Sequence, residues 1–397
     1  MMQRSENDAE HHPLQPKFQT PEYLRTIPHL RPRIPANALL LRLRSQVIAS
    51  LTQFFANEGF VQTHTPVITS SDCEGAGEVF TVSSNAAKNS VQETKPEDEA
   101  QVEHFFRTPK YLTVSAQLHL EALAQAVDRV WTLSPTFRAE KSDTPRHLSE
   151  FYMLEAELCF TEDIEDVMSV VENMLRAVAQ ALGASPLGAQ LLRLRDIPSK
   201  DAEEGEKSAS AVTLKQRWAG MATGDWPRIT YRDSIDLLQQ AVSDGKATFA
   251  FRPSYEAGLQ AEHERYIAAT VGEGWRPVFV TDYPSVQKPF YMPPSLSTAN
   301  SKGAEDTVAC FDLLVPELCE LAGGSMREHR SAQLLQALTA KGVDGSSLEW
   351  YQDLRKYGSV PHGGFGLGFD RLLCYLSGIS NVRDVVAFPR WHGRCDC

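Results

Sequence analysis

From Thr132 to Leu158 the chain reads TLSPTFRAEKSDTPRHLSEFYMLEAEL, two alternating runs around a charged loop. In the first run Thr132, Ser134, Thr136, Arg138 and Glu140 share one side, and Trp131, Leu133 and Phe137 share the other. In the second, Tyr152, Leu154, Ala156, Leu158 and Phe160 form an apolar face, with Phe151, Met153, Glu155 and Glu157 opposite. A two-residue period marks a strand with one buried face, so the pattern predicts a hairpin. Its polar face carries Arg138 and the carboxylates Glu140, Glu155 and Glu157, and the loop adds Lys141, Arg146 and His147. Such a face calls for something polar to hold.

Elsewhere the period changes. Leu40, Leu43, Val47, Leu51, Phe54 and Phe55 fall on one helical stripe, and Gly59 stands where that helix should stop. FVQTHTPVIT follows as a strand whose Pro66 suits only an edge or an interface. Two polar, aperiodic segments, 83–104 and 196–227, read as surface insertions. The remaining strands alternate and are half polar, interleaved with helices. That favours an antiparallel sheet in an α+β domain over a doubly wound parallel one.

The totals narrow the class. A chain of 397 residues with 42% hydrophobic residues can bury a large core. A net charge of −12 argues against non-specific nucleic-acid binding as the main business, while leaving room for a local basic groove. No run approaches membrane-spanning length. The seven cysteines show no paired CxxC spacing and point to a reducing compartment. The opening MMQRSENDAEHH is neither a signal peptide nor an Arg-rich transit peptide.

Two further stretches carry chemistry. In TVACFDLLVPELCELAGGSMREHR, Asp312 shares a strand face with Val308, Cys310 and Leu314; Glu320, a GGS turn and Arg327 follow. Two converging carboxylates suit Mg²⁺ beside substrate phosphates, and a solvated strand end is the plainer alternative. In GGFGLGFDRLLCYLSG a glycine-rich strand runs into a helix whose first turn holds Asp370 and Arg371. An arginine at a helix N-terminus opposes the dipole and calls for an anion in front of it. The glycines would let a flat ligand approach, although the pattern is neither GxGxxG nor a P-loop. Separated arginines, paired acids and a glycine-floored slot are equipment for a nucleoside triphosphate with Mg²⁺.

With these residues in view, FRAE…RHLSEF resembles motif 2 of the class II aminoacyl-tRNA synthetases, GFGLGFDR resembles motif 3, and the helix–strand unit ending in Pro66 resembles motif 1. Within that class HLRPR, DCEGAGEVF, YLTVSAQLHLE, EHERY, VTDYP and NVRDVVAFPR resemble the asparaginyl-tRNA synthetases in their bacterial and organellar form, from about residue 20 onward. The resemblance implies an α+β class II catalytic domain with a six- or seven-stranded antiparallel sheet flanked by helices, over 36–397. Residues 1–35 would be the remnant of a hinge to an anticodon-binding OB-fold that this reading counts as missing. It implies activation of asparagine by ATP with Mg²⁺ to an adenylate, transfer to the 3′ end of tRNA(Asn), and a homodimer built on motif 1.

By the same resemblance, Arg138 would grip the α-phosphate and Glu140 would sit near the adenine amino group or the tRNA end. Arg146 and His147 would meet the outer phosphates, and Phe151 would stack on adenine. Arg371 would close over the nucleotide, with Asp370 beside it in the cofactor-binding set. Asp312 and Glu320 would hold the metal. Glu74 and Gln117 would take the α-amino group of asparagine, Arg327 its amide oxygen and Glu155 its amide nitrogen. Aspartyl relatives carry a lysine where this chain has Leu120, so an amide is expected over a carboxylate. Glu157 reads as a partner of a neighbouring base, His263 as a packed helix residue, and Glu262 with Arg265 as an ion pair. Ala116, the PELCE segment, YMPPS and Asp370 depart from the family pattern. A mitochondrial matrix location is expected, with the cytoplasm as the alternative. Two rival readings remain: a tRNA-independent paralogue that amidates aspartate, and a non-catalytic RNA-binding pseudo-enzyme.

Overall fold

The computed structural model describes residues 12–15, 17–70, 79–84, 104–196, 208–295, 306–343 and 345–397. Its strands are β1 (Val61–Gln62), β2 (Ile68–Thr69), β3 (Thr81–Val82), β4 (Lys110–Leu112), β5 (Arg129–Phe137), β6 (Glu150–Cys159), β7 (Arg228–Thr230), β8 (Val278–Pro284), β9 (Thr307–Val315), β10 (Cys319–Met326) and β11 (His362–Gly368). Eight of them form one sheet in the order β1-β5-β6-β11-β10-β9-β8-β7, and β2, β4 and β3 form a small second sheet. The six central strands of the large sheet are antiparallel throughout, as expected. Two short edge strands, β1 and β7, pair in parallel and bring the total to eight.

The expected strand around Pro66 is broken into β1 and β2, which join different sheets. Proline has no N–H to give a ladder, so the chain leaves one sheet there and enters the other.

The helix Pro35–Asn57 starts on a proline and buries Leu40, Leu43, Val47, Leu51, Phe54 and Phe55 along the expected stripe. It stops at Gly59, whose φ of +76° lets the chain fold back so that Phe60 N donates to Phe55 O at 2.9 Å. Phe55 stacks on Trp131 of β5, ring centroids 4.6 Å apart. The helix Ile164–Gly183, capped by the Asp163 side chain at Glu165 N, lays Val167, Val171, Met174, Leu175 and Val178 into the same core. Leu154, Ala156 and Leu158 of β6 meet these helices from the sheet. The opposite sheet face is left for the polar side chains.

The segment 196–227 is not simply a surface insertion. Its residues 197–207 lie outside the described ones, but Ala211–Thr223 is a helix that buries Leu214, Trp218 and Met221, and Trp226 follows it into the core. The i, i+4, i+7 spacing of those three residues was hidden by the polar flanks. Of 83–104, residues 85–103 lie outside the described residues. Phe160, assigned to the apolar face of the hairpin, sits past the end of β6 with a φ of +58° and is 75% exposed.

Truncating Phe55 removes both a buried ring and its stacking partner for Trp131. Phe55→Ala should lower the unfolding free energy by about 3–5 kcal/mol, read from the urea midpoint. A loss below about 1 kcal/mol would mean that the helix is not seated through this ring.

Candidate active site

The register of the hairpin decides which side chains reach the cleft. Thr132 pairs with Glu155 and Thr136 with Phe151 on the polar face, and Trp131 pairs with Ala156 on the apolar one. On the polar face two adjoining hollows share Arg138, Met153, Glu320 and Gly366. The outer hollow is lined by Glu140, Arg146, His147, Phe151, Asp370 and Arg371. The inner one is lined by Gln117, Leu120, Glu155, Lys288, Asp312 and Arg327. They make one cleft with Arg138 at the junction.

The outer half gathers positive charge. Burial is the largest influence lowering the His147 ring below its usual range; Glu140 opposes it, and Arg371, Arg146 and Arg138 reinforce it. Arg138 and Arg146 of the hairpin loop and Arg371 from far along the chain therefore bear on one imidazole. Arg138 lies 4.0 Å from Glu140 and 5.7 Å from the centre of the Phe151 ring. Arg371 donates to the Glu320 carbonyl at 3.1 Å and lies 3.8 Å from its carboxylate. Asp370 is turned to another use: it accepts from Arg44 at 2.5 Å and from Tyr152 N at 2.9 Å, tying the helix Pro35–Asn57 to the hairpin. Its carboxylate is 3% exposed, although the residue lines the hollow.

The glycines divide into two jobs. Gly366 and Gly368 line the outer half, where a Cβ would meet Met153 and Arg371 at 3.4 Å, an ordinary contact. At Gly364 a Cβ would stand 2.0 Å from Glu157 Oε2, so that glycine makes way for a protein side chain.

The inner half is arranged around ion pairs. Arg327 grips Glu157 through Nε and Nη2, each at 3.1 Å, and donates Nη1 to Ser325 at 2.5 Å. The role expected for Glu157, partner of a neighbouring base, is what the geometry places there. The two carboxylates around Arg327 overcome its burial and raise its already high pKa. Glu155 accepts from Ser115 Oγ at 2.5 Å and from Ala116 N at 2.9 Å. Leu120 lines the hollow where a lysine would have offered a cation.

Asp312 and Glu320 face each other across β9 and β10. A Cβ on Gly323 would lie 3.2 Å from Asp312 Oδ1 and 3.6 Å from Glu320 Oε1, so the absent side chain leaves the two oxygens a shared space. Glu264 adds a third acid there: burial, Glu320 and Asp312 push its carboxyl up to about 7. Carboxylates crowded around one space fit a divalent cation.

Two participants in this region escaped the reading of the sequence. Lys288 holds both Asp312 oxygens, at 3.0 and 2.9 Å, and its ammonium sits 3.9 Å from the Tyr283 ring centre. Nothing in VQKPFY marked that lysine locally. Glu264 shares the EHERY signature with His263, which is the packed residue expected: it is buried, accepts from Gln260 N at 3.0 Å and meets Phe251 O at 2.9 Å. Glu262 does not show the expected ion pair with Arg265; its carboxylate accepts from Ala250 N and Phe251 N at 3.0 and 2.7 Å. Glu74 lies outside the described residues.

The fold and the cleft match the family described as class II tRNA synthetases (D, K and N), over residues 21–392. The mitochondrial asparagine–tRNA ligase of Saccharomyces cerevisiae is 42% identical over 387 residues, 96% of this chain and 74% of that protein. An asparagine–tRNA ligase of Bacillus thuringiensis is 43% identical over 389 residues, 96% of this chain and 76% of that one. Among solved structures, asparaginyl-tRNA synthetase from Pyrococcus horikoshii complexed with asparaginyl-adenylate superposes with a TM-score of 0.77 at 30% identity, covering 95% of this chain and 74% of that one. The chain belongs to the class II tRNA synthetases and, within them, to the asparaginyl-tRNA synthetase family.

Lys288 and a metal ion would compete for Asp312. Lys288→Met should tighten Mn²⁺ binding to the nucleotide-free protein by at least about tenfold, measured by titration calorimetry, since a like charge a few ångströms away is removed. Unchanged or weaker binding would show that the lysine does not share this carboxylate with the metal.

Proposed function

We infer that the chain is an asparagine–tRNA ligase that activates asparagine with ATP in this cleft and passes it to the 3′ end of tRNA(Asn). The observation that carries the residue assignment is the position of Arg138, the arginine common to the two halves. A triphosphate in the arginine-rich outer half and an amino acid in the inner half would meet there.

In the first step a carboxylate oxygen of asparagine attacks the α-phosphorus of ATP, and the bond to diphosphate breaks. Arg138 stabilises the charge that gathers on the α-phosphate, and its planar fork suits that task better than a lysine. Arg146 and His147 hold the outer phosphates, Phe151 stacks on the adenine with Arg371 over its other side or on the γ-phosphate, and Glu140 lies near the adenine amino group or the tRNA end. Asp370 serves this half through Arg44 and Tyr152. Asp312 and Glu320 would hold Mg²⁺, which when bound neutralises phosphate charge. Gln117, with Glu74 assigned on the family motif alone, takes the α-ammonium. Arg327 keeps hydrogens on Nη1 and Nη2 for the amide oxygen, and Glu155 accepts from the amide nitrogen. In the second step a tRNA terminal hydroxyl attacks the acyl carbon and AMP leaves.

The paralogue that would amidate aspartate is the second reading, and Leu120 at the pocket wall speaks against it: a β-carboxylate finds no lysine there. A homodimer across the helix Pro35–Asn57 and the Pro66 segment is supported by the apolar side chains Leu41, Val61 and Ile68, each more than 40% exposed on those elements. A mitochondrial matrix location is supported by the mitochondrial name of the yeast relative.

ATP–pyrophosphate exchange with purified protein and Mg²⁺ tests the first step. Exchange should depend on asparagine, be far weaker with aspartate, and fall about 10²–10³-fold in Arg138→Ala. Aspartate-driven exchange would favour the paralogue, and exchange with neither from a folded protein would overturn the assignment. Light scattering should give twice the chain mass, and a monomer would remove the dimer. Subcellular fractionation should find the protein with matrix markers; recovery with cytosolic markers alone would reverse that location.

A further inference from the structure

Behind the inner half of the cleft lies a buried carboxylate to which none of the roles above is assigned. Glu121 is fully buried, one turn along the helix Gln117–Val127 from Gln117. Its Oε1 accepts from Gln117 Nε2 at 3.1 Å and from Tyr351 OH at 2.9 Å, and lies 3.9 Å from Arg327 Nε. Its Oε2 accepts from Arg355 Nη2 at 2.5 Å and Tyr351 OH at 2.7 Å, and faces His362 Nε2 at 3.1 Å. Burial alone would raise this carboxyl; Arg355, His362 and Arg327 outweigh it and hold the group well below its usual range. Although Glu121, Glu157 and His362 bring possible metal-ligand atoms within 4.8 Å of one another, the arginines already take up the carboxylates.

The geometry has two consequences for the substrate. A carboxylate can only accept, so the Gln117 amide must turn its nitrogen towards Glu121 and its oxygen away, ready to accept from an ammonium. Arg327 has Glu157 at 3.1 Å and Glu121 at 3.9 Å, so its charge is matched before any substrate arrives. An entering carboxylate then gains little from it, whereas an amide oxygen needs only the remaining N–H groups.

We propose that Glu121 is a positioning and specificity residue: it fixes the Gln117 amide and the Arg327 guanidinium together, and its charge makes the side-chain pocket select a neutral amide over a carboxylate. The proposal rests on the assignment of Gln117 and Arg327 to the amino acid. A purely architectural carboxylate would affect folding alone; this one must also set the preference between two substrates of nearly equal shape.

The test is Glu121→Gln, which keeps the shape and removes the charge, followed by ATP–pyrophosphate exchange with asparagine and aspartate. KM for asparagine should rise about tenfold and the asparagine-to-aspartate ratio of kcat/KM should fall about tenfold or more, while KM for ATP stays within twofold. If Glu121→Gln does not fold, the double variant Glu121→Gln with Arg355→Met removes anion and cation together and carries the same readouts. Unchanged asparagine KM and an unchanged ratio in the variant that folds would overturn the proposal. If the unaltered protein shows no asparagine-dependent exchange, the failure belongs to the assignment of function instead.

Discussion

Because consecutive residues of a strand face opposite ways, a slip of one residue between β5 and β6 would carry Glu155 and Glu157 into the apolar layer and bring Leu154 and Ala156 into the cleft. The observed pairing of Trp131 with Ala156, and of Thr132 with Glu155, avoids that. Much else follows from this register. Trp131 can receive Phe55 only from the apolar side, so the helix Pro35–Asn57 must lie there. With that face sealed, Arg138, Phe151 and Glu155 share the other face with the carboxylates of β9 and β10.

A cleft this charged has to balance its charges while they are withdrawn from bulk water, and nearly every ion in it is met by a specific partner. Asp370 is met by Arg44, Asp312 by Lys288, Glu157 by Arg327 and Glu121 by Arg355. The outer half is the exception, with Arg138, Arg146 and Arg371 crowding His147 and Glu140 opposing them there. That excess is where an anionic ligand gains most. The inner half is already balanced, and so suits an amino acid whose side chain is neutral.

Local pattern made part of this legible. The helical stripe from Leu40 to Phe55, its glycine stop and the two-faced hairpin are written in periods of 3.6 and 2, and the structure follows them. Asp312 stood out because Val308, Cys310 and Leu314 do not explain it, and it lies in the cleft. Lys288 and Glu121 gave no such signal, since each acquires meaning only from a residue far along the chain: Asp312 for one, Arg355 and His362 for the other. The helix Ala211–Thr223 was lost because polar neighbours on both sides diluted three well-spaced apolar residues. Asp370 was legible as a residue near the ligand; its engagement by Arg44, 326 residues away in sequence, was not.

Arg138 is assigned to the point where nucleotide and amino acid join. A crystal structure with a non-hydrolysable asparaginyl-adenylate analogue tests that most directly. The analogue's phosphate-replacing group should lie within hydrogen-bond distance of the Arg138 guanidinium, with adenine beside Phe151 and the side-chain amide between Arg327 and Glu155. An analogue bound with that group away from Arg138, or with its amide outside the inner half, would overturn that assignment.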